Sequence, residues 1–590
     1  MSDEVQWALL AADTDRTQDY VFESARLPEI RGASRHLDQL NEDIGRLVES
    51  RGGEVIFCGG GGLLAKVPQQ VAASLAREIE AIYPRETSVA TITADWRPIT
   101  QEMLDADNPK NPSAHFGSLM QWAGTWLRRR KESRESVPFL ESLPYVERCR
   151  SCQIRPAHTA YLEVYPDWPL CEICHDKRAY QGRDVWFRDF QTYLDRNPKL
   201  RDRYYQGGEP FRRFDAEREQ ARWTPQDLEE IGEACSARKG YVGFIYLDGD
   251  EMGHAFEKVP TPEACRLLSN AVEEAAREAV MTALGLLHPA WVQPSPARRS
   301  VDEQPEPEQL DAHGRMRIHP FDIITVGGDD VMLIVPADQA VPVACTISQK
   351  FQEMVQVRMA QEDALQELRD HPYTMSGGLV IASDHNPVRV LRDLASELKD
   401  IAKRECKRDK AKRESEQDKA RRECKQDKAE EGYVDFLVLK SADMVERNVR
   451  QMRNRYPYLV EAPGTRPLNL LGRPYPVSVL GTLWREVGAL REKARFPNSQ
   501  MNQLAESLLQ GRRESTLFYL YQRARDKRGY FAHIDRLLLE VQGSEARDPI
   551  PWVDLSGTDT RYSFQTVLWD VAELYGFVPG DPVLREESND

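Results

Sequence analysis

The feature that most restricts this chain is Phe321–Val335, FDIITVGGDDVMLIV, where two apolar, β-branched runs flank Gly327, Gly328, Asp329 and Asp330. Such runs around a glycine pair predict a β-hairpin, because glycine tolerates the positive φ that tight turns require. Two adjacent acids at the tip do little for stability. They are hard oxygen ligands of the kind magnesium takes, and the glycines let a phosphate-bearing ligand approach the backbone. A solvated turn uses the same residue types, so the hairpin does not decide by itself.

A second acidic stretch adds weight. Gly240–Gly253, GYVGFIYLDGDEMG, reads as a buried strand running into Asp248 and Asp250. A strand ending in an acid, followed by a hairpin with acids at its turn, is how palm-type polymerases and cyclases bring carboxylates to one magnesium pair. Such ions lie about 3.5–4 Å apart and hold the attacking and leaving oxygens of an in-line displacement. Backbone N–H groups over Gly249 to Gly253, near the next helix start, are candidate phosphate contacts. Gly327 and Gly328 join them in the nucleotide-binding set, with Asp250 as a further candidate. The expected catalytic acids are Asp248, Asp329 and Asp330; strict strand alternation sends 329 and 330 apart, so both chelate only if the turn bends there.

The plan recurs near the start. The strand VQWALLAADTD places Asp13 and Asp15 where Asp248 and Asp250 stand, and EVIFCGGGGLLAKV parallels DIITVGGDDVMLIV, with Gly61 and Gly62 in place of the hairpin acids. TSVATITADW likewise answers YTMSGGLVIASDHN. Three matched elements in one order predict a duplicated palm whose first copy has lost its metal ligands. Its glycines, Gly60 and Gly61, still admit a phosphate, and Ser376 on the later strand is a further nucleotide contact candidate. The alternative for the first copy is a scaffold that buttresses the second.

Between the copies, CRSC and CEIC place Cys149, Cys152, Cys171 and Cys174 in two knuckles separated by eighteen residues. That spacing matches a closed, structural four-thiolate zinc site in a reducing compartment. His175 and Asp176 follow at once and read as knuckle context. The amphipathic helix AHFGSLMQWAGTWLRRRKESR, with Arg128, Arg129, Arg130 and Lys131 at its basic end, reads as a solvated face rather than an RNA or partner contact. A Pro-rich charged insertion near 290–316 is expected to be mobile. The helix PVRVLRDLASELKDIAKREC carries Lys399 and Lys403; Lys403 is the better candidate to neutralise a triphosphate, Lys399 the better candidate for an exposed face. A nine-residue repeat from Cys406 to Gly432 predicts a solvated helix.

At 590 residues the chain should hold about three to five domains. We divide it into a degenerate palm (1–145), a mostly helical zinc domain (146–240), a catalytic palm (241–445) and a C-terminal helical bundle (446–590). The fold class is α+β, with two ferredoxin-like palms. The net charge of −16 argues against a broad basic face that holds nucleic acid unaided. Neither a signal peptide nor an apolar run of membrane-spanning length is legible, so the expected location is cytoplasmic.

The order RLPEIRGAS, GGGG, paired CxxC knuckles, DGDEMG, HPFDIITVGGDDVML, SGGLVIASDHNP, an AK-containing helix and GRPYPVSVL resembles the large subunit of type III CRISPR effector complexes. This is the Cas-ten superfamily, and the layout is most similar to its Cmr-two branch. The resemblance implies ATP-dependent synthesis of cyclic oligoadenylate, switched on by target RNA in a complex with CRISPR RNA and partner subunits, the C-terminal domain docking a small subunit. From the charges, Asp248 and Asp329 are expected to bridge two magnesium (or manganese) ions, with Asp330 as a further ligand or an orienter of bound water, while a ribose hydroxyl of one ATP attacks the α-phosphorus of another and Lys403 faces the departing pyrophosphate. Because the chain starts inside the first palm, an N-terminal HD nuclease activity is expected to be absent. Rival readings are a GTP-using cyclase, conjugation of ATP to an acceptor such as S-adenosylmethionine, and a non-catalytic scaffold.

Overall fold

The computed structural model describes residues 6–100, 103, 116–133, 145–158, 168–211, 222–298, 303–420, 430–440, 448–455, 459–460, 467–492, 495–542, 550–555 and 562–579. Strands β1 (Trp7–Asp15), β2 (Glu54–Gly59), β3 (Gly62–Pro68) and β4 (Thr91–Ile99) form an antiparallel sheet of order β2-β3-β1-β4. Helix α1 (Leu27–Ser50) follows β1, and α2 (Gln69–Thr87) joins β3 to β4. Leu27, Ile30, Ala33, Leu37, Leu40, Ile44 and Val48 recur three and four apart along α1, so one stripe is buried. Pro28 fits the first turn, where its missing N–H has no intrahelical partner to lose. Truncating a core member such as Leu40 to Ala would cost about 2–5 kcal/mol. After β4 come α3 (Phe116–Ser133) and, within the cysteine-knuckle segment, α4 (Glu172–Ala179).

The second sheet contains β5 (Tyr241–Gly249), β6 (Asp322–Gly327), β7 (Asp330–Pro336), β8 (Met375–Ser383), β9 (Tyr433–Leu439) and β10 (Tyr475–Pro476), in the order β10-β9-β8-β5-β7-β6. Its four strands β6-β7-β5-β8 repeat the order β2-β3-β1-β4, so the ferredoxin-like palm occurs twice. Here β9 is added parallel to β8, with Gly377 opposite Val434, and β10 is added antiparallel to β9, with Pro476 opposite Tyr433. The connecting helices are α5 (Pro262–Leu284), α6 (Ala337–Gln361) and α7 (Val388–Ala420). Thr261 caps α5 by accepting the Ala264 N–H at 3.1 Å, with Pro262 in the first turn.

By packing, the chain divides into two compact units. The first comprises Met1–Glu230, Gly249–Leu333 and Lys350–Tyr373. In it, α1 lies against both β2 and β6, and α5 lies against the same two strands. The second comprises Ile231–Asp248, Ile334–Gln349 and Thr374–Asp590. There α7 covers β8 and β9, and helices Val477–Glu492, Asn498–Leu508, Arg512–Arg525 and Tyr530–Gln542 form the C-terminal bundle. The bundle is accompanied by a small sheet of two-residue strands at Leu459–Val460, Leu468–Asn469, Val553–Asp554 and Phe564–Gln565, too short to leave an alternating pattern in the sequence. Among the described residues, no helix is long and apolar enough to cross a membrane.

The expectation of a mobile insertion near 290–316 is corrected. Ala290–Val292 pairs with Met316–Ile318, and Arg298 makes a fully buried ion pair with Glu230 at 2.7 Å. Glu303, also buried, pairs with Arg178 at 2.6 Å. Charge predicts solvation only where it lacks partners, and these charges have them. Residues 299–302, the repeat over 421–429 with Cys424, and the tail LREESND lie outside the described residues.

Candidate active site and metal centre

Asp248 lies at the end of β5, where the apolar run VGFIYL gives way to a side chain that keeps 17% of its surface exposed. Its Oδ2 accepts from Lys399 Nζ at 2.9 Å and from Lys403 Nζ at 2.8 Å. The two lysines stand four residues apart on α7 and therefore share a face. Lys399 was expected on an exposed face; instead its side chain is 12% exposed, on Asp248 and 4.3 Å from the Tyr246 ring centroid. The helical spacing of Lys399 and Lys403 was the signal that sequence reasoning passed over.

The hairpin forms as expected, with a two-residue turn at Gly328 and Asp329 between β6 and β7. Gly328 has φ +61°, while Gly327 ends the strand without needing positive φ. Asp330 opens the return strand, so the two acids occupy different backbone settings, and both are half-buried. The residue after Asp248 ties this bend down: Gly249 N–H donates to the Asp329 carbonyl at 3.2 Å. A Cβ at Gly249 would lie 2.8 Å from Asp329 Cβ and 2.9 Å from its Oδ2, so only glycine lets the Asp329 side chain sit there. The Gly249 N–H is thus engaged by protein rather than open to a phosphate.

The other nucleotide candidates fall differently. Ser376 is fully buried in β8 and its Oγ accepts the Tyr433 N–H at 2.9 Å, which corrects its assignment as a nucleotide contact: its hydroxyl serves the junction of β8 with β9. Asp250 is buried, and Gly253 lies in the short helix Met252–Glu257 with open space where a Cβ would stand. Gly60 and Gly61 form the turn of the first hairpin with φ +59° and +85°. Gly61 carbonyl accepts from the Thr14 N–H and hydroxyl, both at 2.9 Å. A Cβ at Gly327 would stand only 3.6 Å from Gly60 Cα, so the two bends approach backbone to backbone.

In the first copy, Lys131 at the C-terminal end of α3 pairs with Asp13 at 2.6 Å and Asp15 at 3.1 Å. Asp15 also accepts from Thr91 and Thr93 hydroxyls at 3.1 and 2.9 Å. Of the basic cluster, Arg130 binds Glu80, whereas Arg128 is exposed beside a cleft of about 330 Å³ under α3.

The four cysteines expected to bind zinc come together. Cys149, Cys152, Cys171 and Cys174 are buried with all four Sγ atoms within 4.8 Å of one another. Cys152 and Cys171 Sγ are 3.9 Å apart, the separation a tetrahedron of bonds of about 2.3 Å requires. Hydrogen bonds among the crowded thiols lower Cys152 and raise Cys171 and Cys174, so the four sulfurs share protons that a bound cation would displace. The four thiols therefore fit zinc. His175 and Asp176 pair with each other at 3.2 Å beside the knuckle. No trio of carboxylates is gathered as tightly among the described residues. Carboxylate oxygens are the donors magnesium or manganese takes, but those of Asp248, Asp329 and Asp330 are not gathered as the thiols are, and Asp248 is held by two ammonium groups.

Residues 241–412 match the family model of the Cas10/Cmr2 second palm domain. No curated protein matches the sequence. Similar solved structures include a Csm1–Csm4 cassette in complex with pppApA, at 14% identity over 98% of this chain and 69% of that chain, with TM-score 0.50. Csm1 in T. onnurineus matches at 14% identity over 98% and 70% of the two chains, also with TM-score 0.50. A Csm1–Csm4 cassette in complex with AMPPNP gives the same identity, coverage of 98% and 70%, and TM-score. At this identity the likeness establishes fold.

Proposed function

We propose that this chain, whose residues 241–412 match the Cas10/Cmr2 second palm domain, is a Cas10-like large subunit that joins ATP into cyclic oligoadenylate within a type III CRISPR antiviral complex when target RNA is bound. The observation that carries this reading is the Gly249 N–H held on the Asp329 carbonyl, one residue beyond an Asp248 gripped by Lys399 and Lys403. In this reading Asp248, Asp329 and Asp330 supply the oxygens for two magnesium or manganese ions. When bound, such ions lower the pKa of an attacking ribose hydroxyl and offset charge on the phosphates.

The chain's own residues do the rest. Lys403, the more exposed lysine, transfers from Asp248 to polyphosphate oxygens as the departing pyrophosphate gains charge. Lys399, over Tyr246 and less exposed, remains as the carboxylate's counter-charge. Gly327 and Gly328 keep the bend free of side chains so that a ribose and its phosphates reach the acids. The cysteine knuckle holds structural zinc and takes no part in the chemistry. The net charge of −16 leaves recognition of CRISPR RNA and target RNA to the assembled complex, with a Csm4-type neighbour among its subunits and the cytoplasm as the place of action.

The test is to incubate the purified complex with labelled ATP, magnesium and target RNA, comparing wild type with Asp329→Ala/Asp330→Ala. Cyclic product from the wild type alone is expected. Equal product from both removes the site, preference for GTP installs the cyclase reading, and an adenylylated acceptor in place of a ring installs conjugation.

A further inference from the structure

The segment RLPEIRGAS, residues 26–34, supplies nothing to the nucleotide chemistry, yet one turn of it grips two distant parts of the first compact unit. Glu29 is fully buried and its Oε1 accepts from Ser151 Oγ at 2.8 Å, Ser151 being the residue just before Cys152 in CRSC. Arg178 on α4, four residues beyond Cys174, approaches the same carboxylate at 3.6 Å. Gly32 meets the α4 backbone directly: a Cβ there would stand 1.7 Å from the Lys177 carbonyl oxygen, so any other residue would lift the knuckle helix off α1. Lys177 itself, 1% exposed, donates to the Tyr20 carbonyl at 2.7 Å just before α1 begins. Both knuckles are therefore seated on residues 29 and 32.

Arg31, between them, turns the other way. Its Nη1 lies 2.6 Å from Asp322 Oδ2 and 3.0 Å from the Pro225 carbonyl, and its Nε lies 2.9 Å from Asp184. Arg31 and Asp322 are both fully buried at the side chain. Asp322 is the first residue of β6, the strand that ends at the Gly327–Gly328 bend. A desolvated, charge-assisted hydrogen bond, here through Nη1 alone, is short and directional, so it fixes position more firmly than an apolar contact would. The same turn of helix thus holds the zinc knuckle with two residues and the base of the catalytic strand with a third.

We infer that Arg31 is a positioning residue for the catalytic bend, and that it transmits the folded state of the zinc knuckle to that bend. The catalytic part of this inference rests on the proposed function; the mechanical part does not. The experiment uses the full chain and amide hydrogen exchange by mass spectrometry, before and after a chelator strips the zinc. In the wild type, exchange over 322–327 should rise about fivefold or more on stripping, while β4, an edge strand of the first sheet, changes by less than about twofold. In Arg31→Met/Asp322→Leu, which replaces the ion pair by apolar groups of similar size, the response of 322–327 to stripping should vanish. Arg31→Lys keeps the charge but does not reproduce the Nη1 contacts to Asp322 and the Pro225 carbonyl, and should lower kcat for ATP about tenfold with KM unchanged.

An unchanged 322–327 segment after stripping, an equal rise in β4, or an undiminished response in the double variant overturns the inference. If the double variant does not fold, the wild-type stripping result and the split of kcat from KM in Arg31→Lys decide by themselves. Exchange coupling without any ATP conversion in the wild type would sink the nucleotidyltransferase reading alone. Conversion without coupling would sink only the transmission.

Discussion

The two palms share a strand order and differ in what neutralises their acids. In the first copy Asp13 and Asp15 are satisfied by Lys131 and by two threonine hydroxyls, and the bend Gly60–Gly61 brings no carboxylate. In the second, Asp248 holds two lysines and the bend adds Asp329 and Asp330. One ammonium spans both acids of the first copy, whereas in the second two ammonium groups meet on a single carboxylate. The backbone differs too. Both residues of the first turn have positive φ, Gly60 at +59° and Gly61 at +85°, whereas in the second only Gly328 does, at +61°, and Asp329 sits in a conformation open to any residue. The worn copy keeps its strand acids but has lost those of the bend, and also the turn geometry that would carry one.

The contrast can be attacked at several strengths. Asp329→Ala/Asp330→Ala should lower ATP conversion by about 10³-fold or more, whereas Asp13→Ala should change it by less than about twofold, measured as labelled product per minute in the purified complex. Comparable losses from both would erase the division between the copies. Next, Lys403→Met should reduce kcat by about 10²-fold, since a cation facing developing phosphate charge is removed. Lys131→Met should leave kcat within about twofold and cost at most about 1 kcal/mol in denaturant unfolding, as for a partly exposed pair.

Acid should also separate the hairpins. His319, two residues before Phe321, is enclosed by Phe187, Phe190, Tyr204, Phe211 and Phe321, and burial pushes its pKa down to about 3. A histidine depressed when folded contributes stability above its unfolded value of about 6.5 and loses it as pH falls, amounting to about 2 kcal/mol by pH 5. Hydrogen exchange at pH 5 should therefore loosen Asp322–Gly327 before Glu54–Gly59, and His319→Phe should remove the difference. The smallest effect concerns reversion. Gly61→Asp should cost about 1–2 kcal/mol because of its φ, visible as a lowered denaturation midpoint without any gain in magnesium affinity. A gain would show that Lys131 does not hold the acids closed.

Local motifs were legible because their chemistry is written in a few adjacent residues: the two hairpins, the paired knuckles and the strand into Asp248 all stand where the sequence puts them. What escaped depends on distant partners. Arg31 meets Asp322 across nearly three hundred positions, and no local pattern around either residue announces the pair. The charged insertion read as solvated because Glu230 and Arg178, which neutralise Arg298 and Glu303, lie outside it. Ser376 looked available on a Gly-rich strand until β9 was added beside it. Lys399 was the one readable miss, since its four-residue offset from Lys403 already put both on one side of a helix.

The outermost strand beyond β9 is only Tyr475–Pro476, and its second residue has no N–H to donate. A sheet margin so short, closed by proline, gives a foreign strand almost nothing to zip onto. Aggregation and self-polymerisation by strand addition are blocked at this end, so neighbours that assemble with the second unit must recognise side-chain surface instead.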